Sequence, residues 1–196
     1  MNFLAHALLS PDDDEIRAGN VCADLVKGRI DAAVPPGIAT GVALHRAIDR
    51  YADRHHAFRS CLGYVAAPRR RYAGVIVDVF FDHCLARCWA DYSAVRFDVF
   101  VEHVCTQVER QAAVIPVRDR ARLERMLEGR WLGLYATRSG LDIAFAGLAR
   151  RARFGQGLRE AGADLDRHYS TFESSFHELM PALSEHADQV LADRAG

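Results

Sequence analysis

The 196-residue sequence has no run of 18 apolar residues, so no membrane-spanning helix is expected. It has no C-x-x-C pair. Its five cysteines (Cys22, Cys61, Cys84, Cys88 and Cys105) are an odd number, which argues against a disulfide framework or a structural zinc site. Cys84 and Cys88, four residues apart beside His83, leave a soft-metal site as a lesser option. Reduced, half-buried thiols are the main expectation. Charge of one sign is also missing: the net charge of −1 gives no global pull toward nucleic acid or an anionic membrane. Glycine-rich phosphate loops, a nucleophile elbow, internal repeats and low-complexity segments are absent, as is convincing strand alternation. The N-terminal Met-Asn-Phe-Leu-Ala-His lacks a basic leader and a cleavage site, which makes the cytoplasm the expected compartment.

An apolar fraction of 50% and a charged fraction of 26% are those of an ordinary globular protein, and the length suits one domain spanning 1–196. Nearly every segment has helical periodicity, so the expected fold is all-α, a single-domain helical bundle. Helices are expected over about 2–10, 15–27, 38–54, 74–89, 94–113, 118–135 and 141–153. A long last helix is expected to be kinked or broken at Pro181, with His168 and His177 packed in its core stripe. Gly28 is expected to close the second helix, and 29–37 to form a loop.

The central stretch is Gly74–Trp89. It has the composition of a buried helix, yet it carries Asp78, Asp82 and His83. At roughly 100° per residue the two aspartates lie about 40° apart on one face, with apolar residues on both flanks. Carboxylates are seldom buried unless paired or metal-bound. An exposed acidic stripe is the bland alternative, and the apolar flanks count against it. A second cluster, His45, Asp49 and Asp53, follows i, i+4, i+8 on one stripe. A histidine and a carboxylate at that spacing can converge on one ion.

With His6, Asn20 and Asp24, these residues come from four separate helices. Helix bundles commonly hold divalent metals on inward-facing His and carboxylate side chains. Nitrogen and oxygen donors without thiolate suit Mn²⁺, Mg²⁺, Fe²⁺ or Zn²⁺. Such an ion lowers the pKa of bound water and clamps a phosphoryl oxygen. Arg46 and the Arg69-Arg70-Arg71 run are available to phosphate. The residues therefore point to a helical metallohydrolase, with phosphate esters as a substrate class. A non-enzymatic binding module, its acids paired with arginines, is the rival.

Four blocks carry a resemblance: Met1-Asn2-Phe3-Leu4-Ala5-His6 with Gly19-Asn20 and Ala23-Asp24; His45-Arg46-x-Ile48-Asp49 with Asp53; Asp78-x-x-Phe81-Asp82-His83 with Trp89; and Gly147-Leu148-Ala149-x-Arg151 with Tyr169-x-x-x-Glu173-x-x-Phe176. In these the chain resembles the acyl carrier protein phosphodiesterase family along almost its whole length. The resemblance implies an HD-like helical core with additional C-terminal helices, distantly similar to the metal-dependent HD phosphohydrolases. It implies removal of 4′-phosphopantetheine from the serine of holo acyl carrier protein, with Mn²⁺ or a related ion. It carries over Asp24, His45, Asp49, Asp78 and Asp82 as metal ligands, with His6 and Asn20 beside them. His83 or His45 would protonate the leaving serine, and Arg46 would steady the phosphoryl charge. Carrier proteins are acidic, so Lys27, Arg29 and Arg69–Arg71 become a candidate docking patch. A hydrolase of small phosphodiesters or nucleotides, with the same metal chemistry, is the alternative. Ala52 and Cys84 stand where the family usually has threonine and an aromatic residue; neither change removes a candidate ligand.

Overall fold

A computed structural model describes residues 3–26 and 34–195. Among these described residues the nine α-helices are α1 (Phe3–Leu8), α2 (Asp14–Cys22), α3 (Pro36–Ala52), α4 (His56–Cys61), α5 (Ala73–Arg87), α6 (Phe97–Gln111), α7 (Arg120–Glu128), α8 (Arg138–Arg151) and α9 (Gly162–Ala195), joined by short 3-10 turns. Among the described residues there is no strand, only an isolated antiparallel bridge between Val26 and Val117. The all-α expectation holds. No described helix is long and apolar enough to cross a membrane.

Local chemistry sets most boundaries. Asp13 caps α2 by accepting the Ile16 N–H at 2.8 Å, and Asp14 and Glu15 complement the dipole behind it. Pro36 opens α3, where its missing N–H costs nothing. His55 caps α4 through the Ala57 N–H. Thr137 caps α8 by accepting the Gly140 N–H. The helix expected to run to residue 135 stops at Glu128. Gly129 follows, then Arg130 turns into the left-handed region with φ 43°, and Trp131–Ala136 continue as a 3-10 turn. In α9 the break falls at His168 (φ −128°, ψ 28°) and the helix runs on through Pro181. His177 is exposed rather than packed in the core. Gly28 lies outside the described residues.

Helix α5 is the axle of the molecule. Phe80 and Phe81 are fully buried, and with Phe58, Phe145, Phe172 and Phe176 they form a chain of edge-to-face contacts at 4.9–6.0 Å, joining α4, α5, α8 and α9. Helices α2 and α3 cross at unusually close range. A Cβ on Gly19 would strike the Ile38 carbonyl, and one on Gly41 would strike the Ile16 carbonyl. Arg17 fastens α2 to α6: its guanidinium donates to Asp12 at 2.8 Å and Gln107 at 2.6 Å and lies over Phe100.

Candidate metal centre

The glycine crossing brings His45 of α3 over Asn20 of α2, and the residues stack upward from there. The Asn20 side chain donates to the His6 carbonyl at 3.0 Å and to Ser10 Oγ at 2.9 Å, fixing α1 against α2. Its backbone carbonyl accepts from His45 Nδ1 at 2.8 Å. A carbonyl only accepts, so Nδ1 carries the hydrogen and Nε2 is turned outward. The His6 and His45 rings stack with centroids 3.9 Å apart. Asp49, one turn after His45, reaches both: Oδ1 lies 3.1 Å from His6 Nε2 and Oδ2 lies 3.0 Å from His45 Nε2. Asp24 approaches His45 Nε2 at 3.3 Å from the solvent side. One donor atom from each of His6, His45 and Asp49 falls within 4.8 Å of the others.

Electrostatics follow from this packing. Burial disfavours a charged His45, but hydrogen bonds to Asp24 and Asp49 outweigh it and hold its pKa at about 9. Burial, reinforced by His45, pushes His6 down to about 4. Asp49 is penalised by burial, yet the two imidazoles keep its carboxyl well below the usual range. Without a metal, one carboxylate therefore sits between a neutral and a charged imidazole, with protons joining them. A divalent cation fits where those protons are: the donors are N, N and O, and His45 has the Nδ1–H···O=C tie that orients metal-binding histidines. Asp78 is half-buried on the α5 side of this group. Burial raises its carboxyl, and Asp49 and Asp53 raise it further. Arg46 is exposed on α3.

Three expectations need correction. Asp82, expected as a ligand, is fully buried with both oxygens engaged: Oδ2 accepts from Leu4 N at 2.8 Å and Oδ1 from Ala5 N at 3.0 Å. It caps the start of α1, whose first N–H groups have no partner within the helix. His83 is buried and its Nδ1 donates to the Tyr135 carbonyl at 2.7 Å, with the Tyr169 ring beside it. Burial lowers its pKa, and its charged neighbours are Arg87, Arg138 and Asp166 rather than the cluster around Asp49. Arg69 is buried in an ion pair with Asp164 at 2.7 Å, which removes it from any docking surface. Arg70 turns to the Val65 carbonyl, and Arg71 lies over Tyr72 and Phe154. Lys27 and Arg29 lie outside the described residues. The soft-metal option also shifts: Cys84 is fully buried, and Cys88 groups with Glu173 and His177 instead. Sequence reasoning passed over Arg122, Arg125 and Arg150, which share one cavity; their only signal is the density of arginine around residues 118–125 and 150–153.

Fold and site together define an all-helical protein whose first three helices bring two imidazoles and a carboxylate within 4.8 Å of one another, a grouping that could hold a metal ion. The chain belongs to the acyl carrier protein phosphodiesterase family, whose model matches residues 1–183. A relative from Enterobacter sp. (strain 638), named acyl carrier protein phosphodiesterase, is 32% identical over 184 residues, 93% of this chain and 95% of its own length. Proteins of the same name from Yersinia enterocolitica and Escherichia coli O6:K15:H31 are each 30% identical, over 95% and 96% of this chain and 97% and 98% of theirs. No solved structure matches.

Proposed function

We propose that this protein hydrolyses the phosphodiester joining 4′-phosphopantetheine to a serine of holo acyl carrier protein, leaving the apo carrier, and that it acts in the cytoplasm within fatty-acid metabolism. Holo carrier is its partner, and a divalent cation, Mn²⁺ first among Mg²⁺, Fe²⁺ and Zn²⁺, is its cofactor. Family membership over nearly the whole chain supports the substrate. The observation that carries the chemistry is the convergence of Asp24 and Asp49 on His45 Nε2, with Nδ1 committed to the Asn20 carbonyl.

His6, His45 and Asp49 would hold the ion, with Asp24 and Asp78 as the nearest further carboxylates. When bound, such an ion supplies a Lewis acid for a phosphoryl oxygen and lowers the pKa of a coordinated water. The protein's part is positional. Asn20 and Asp82 fix α1 and hence His6, while the Gly19–Gly41 crossing sets His45 against Asn20. Arg46, exposed next to His45, would meet phosphoryl charge. Protonation of the leaving serine would fall to a group on this face, because the charged groups around His83 are Arg87, Arg138 and Asp166 rather than the Asp49 cluster.

The test is incubation of purified protein with holo acyl carrier protein and Mn²⁺, followed by mass spectrometry. The carrier should lose the phosphopantetheine mass, and Asp49→Asn should slow this by about 100-fold or more while the helical circular dichroism stays intact. Unchanged holo carrier with every one of the four cations would refute the reading. Turnover of small phosphodiesters alone would replace the substrate.

A further inference from the structure

A cavity of about 640 Å³ lies between α5, α7, the Trp131–Ala136 turn and α8, within the size range of small-molecule sites. Val75, Val79, Trp131 and Ile143 give it apolar walls, and Ile143 is 59% exposed there. Arg122, Arg125, Arg150 and Arg151 line it against a single carboxylate, Asp119. That carboxylate is already engaged, accepting the Arg122 N–H at 2.9 Å as the cap of α7. Arg17, Arg130 and Arg138 have carboxylates in ion-pair range. Among the described residues, none of the four cavity arginines does.

Two of them converge. Consecutive helical side chains leave the axis about 100° apart, yet the heads of Arg150 and Arg151 both return to Gly147. A Cβ there would lie 3.4 Å from Arg151 Nη1 and 3.7 Å from Arg150 Nη2. The bare glycine thus seats two guanidinium groups side by side, one turn before their own positions. Burial pushes the Arg151 guanidinium down, with Arg122 and Arg150 adding repulsion. Adjacent guanidinium groups with no carboxylate in ion-pair range among the described residues, set beside apolar walls, suit an anion that carries a weakly polar chain. This is also the Gly147-Leu148-Ala149-x-Arg151 block, for which the metal centre has no use. The cavity shares two helices with that centre: Val75 and Val79 flank Asp78 on α5, and Phe3, another wall residue, precedes His6 on α1 by one turn.

We propose that this cavity binds 4′-phosphopantetheine once it has left the carrier, with its phosphate on Arg122, Arg150 and Arg151 and its pantetheine chain along Val75, Trp131 and Ile143. The assignment of occupant rests on the phosphodiesterase reading above; the demand for an anion does not. Isothermal titration of the full chain with free 4′-phosphopantetheine, and with pantetheine lacking the phosphate, tests it. The phosphorylated ligand should bind at least tenfold more tightly than pantetheine, and Arg150→Gln/Arg151→Gln should abolish that preference while leaving the circular dichroism unchanged. Equal affinity for the two ligands, no binding of 4′-phosphopantetheine, or a double variant that keeps the preference would overturn the proposal. Release from holo carrier is measured in parallel with wild-type protein. Release without arginine-dependent binding refutes the cavity alone. Arginine-dependent binding without release refutes the phosphodiesterase reading and leaves the cavity as a site for a phosphorylated chain.

Discussion

At the scale of single residues, the chemistry turns on which atom of His45 is available. Nδ1 is tied to the Asn20 carbonyl, so a proton and the proposed metal would compete for Nε2. With its pKa held at about 9 by Asp24 and Asp49, against the burial that opposes it, His45 is protonated throughout the neutral range and must release that proton to bind an ion. His6, lowered to about 4, is already neutral and releases none. Lowering the pH below 9 therefore strengthens the competitor and weakens the metal. Affinity for Mn²⁺ should rise by about tenfold per pH unit from 6 to 8, the signature of one displaced proton. Electron paramagnetic resonance titrations at pH 6, 7 and 8 would read this directly, and a flat profile would remove Nε2 of His45 from the ligand set. The meeting of His45 with Asp49 was legible in the sequence from its i, i+4 spacing. That His6 stacks on His45 was not, because it depends on a tertiary crossing between two glycines.

At the scale of elements, α5 shows why spacing identifies a buried acid without identifying its task. Asp78 and Asp82 lie on one face as the helical period requires, yet the first stands by Asp49 and Asp53 and the second caps another helix. A carboxylate inside an apolar helix needs partners, and the sequence has no way to say whether these are metal, cation or amide. The two roles separate experimentally. As a cap, Asp82→Ala strands the Leu4 and Ala5 N–H groups in a buried setting and should cost about 2–4 kcal/mol of stability. Asp82→Asn keeps one acceptor and should cost less. Urea denaturation followed by circular dichroism gives both values. A variant with unchanged stability but no metal binding would restore Asp82 to the ligands. Element boundaries were less legible for related reasons. Arg130 in the left-handed region ends the α7 segment without a proline to mark it, and Pro181 sits on an exposed face where α9 continues past it.

At the scale of the whole molecule, the C-terminal helix is locked to the middle of the chain through a buried charge. Asp164 near the start of α9 is fully buried and takes the Arg69 Nε–H at 2.7 Å, the Arg69 Nη2–H at 3.1 Å and the Ala66 N–H at 3.1 Å. The basic run read from the sequence as a docking patch is thus divided, with Arg69 a structural clamp and Arg70 and Arg71 at the surface. A fully desolvated pair of this kind is worth little against a well-packed apolar substitute, but half of it is costly. Arg69→Ala leaves a lone buried carboxylate and should destabilise the fold by about 3–5 kcal/mol. Arg69→Met/Asp164→Leu should regain most of that loss, because no charge is then left unpaired. Stability at neutral pH decides between clamp and patch: if Arg69→Ala leaves the denaturation midpoint unchanged while weakening the carrier interaction, the residue belongs to the partner surface. If the midpoint falls and the double variant restores it, Arg69 holds α9 against the Ala67–Tyr72 turn that leads into α5.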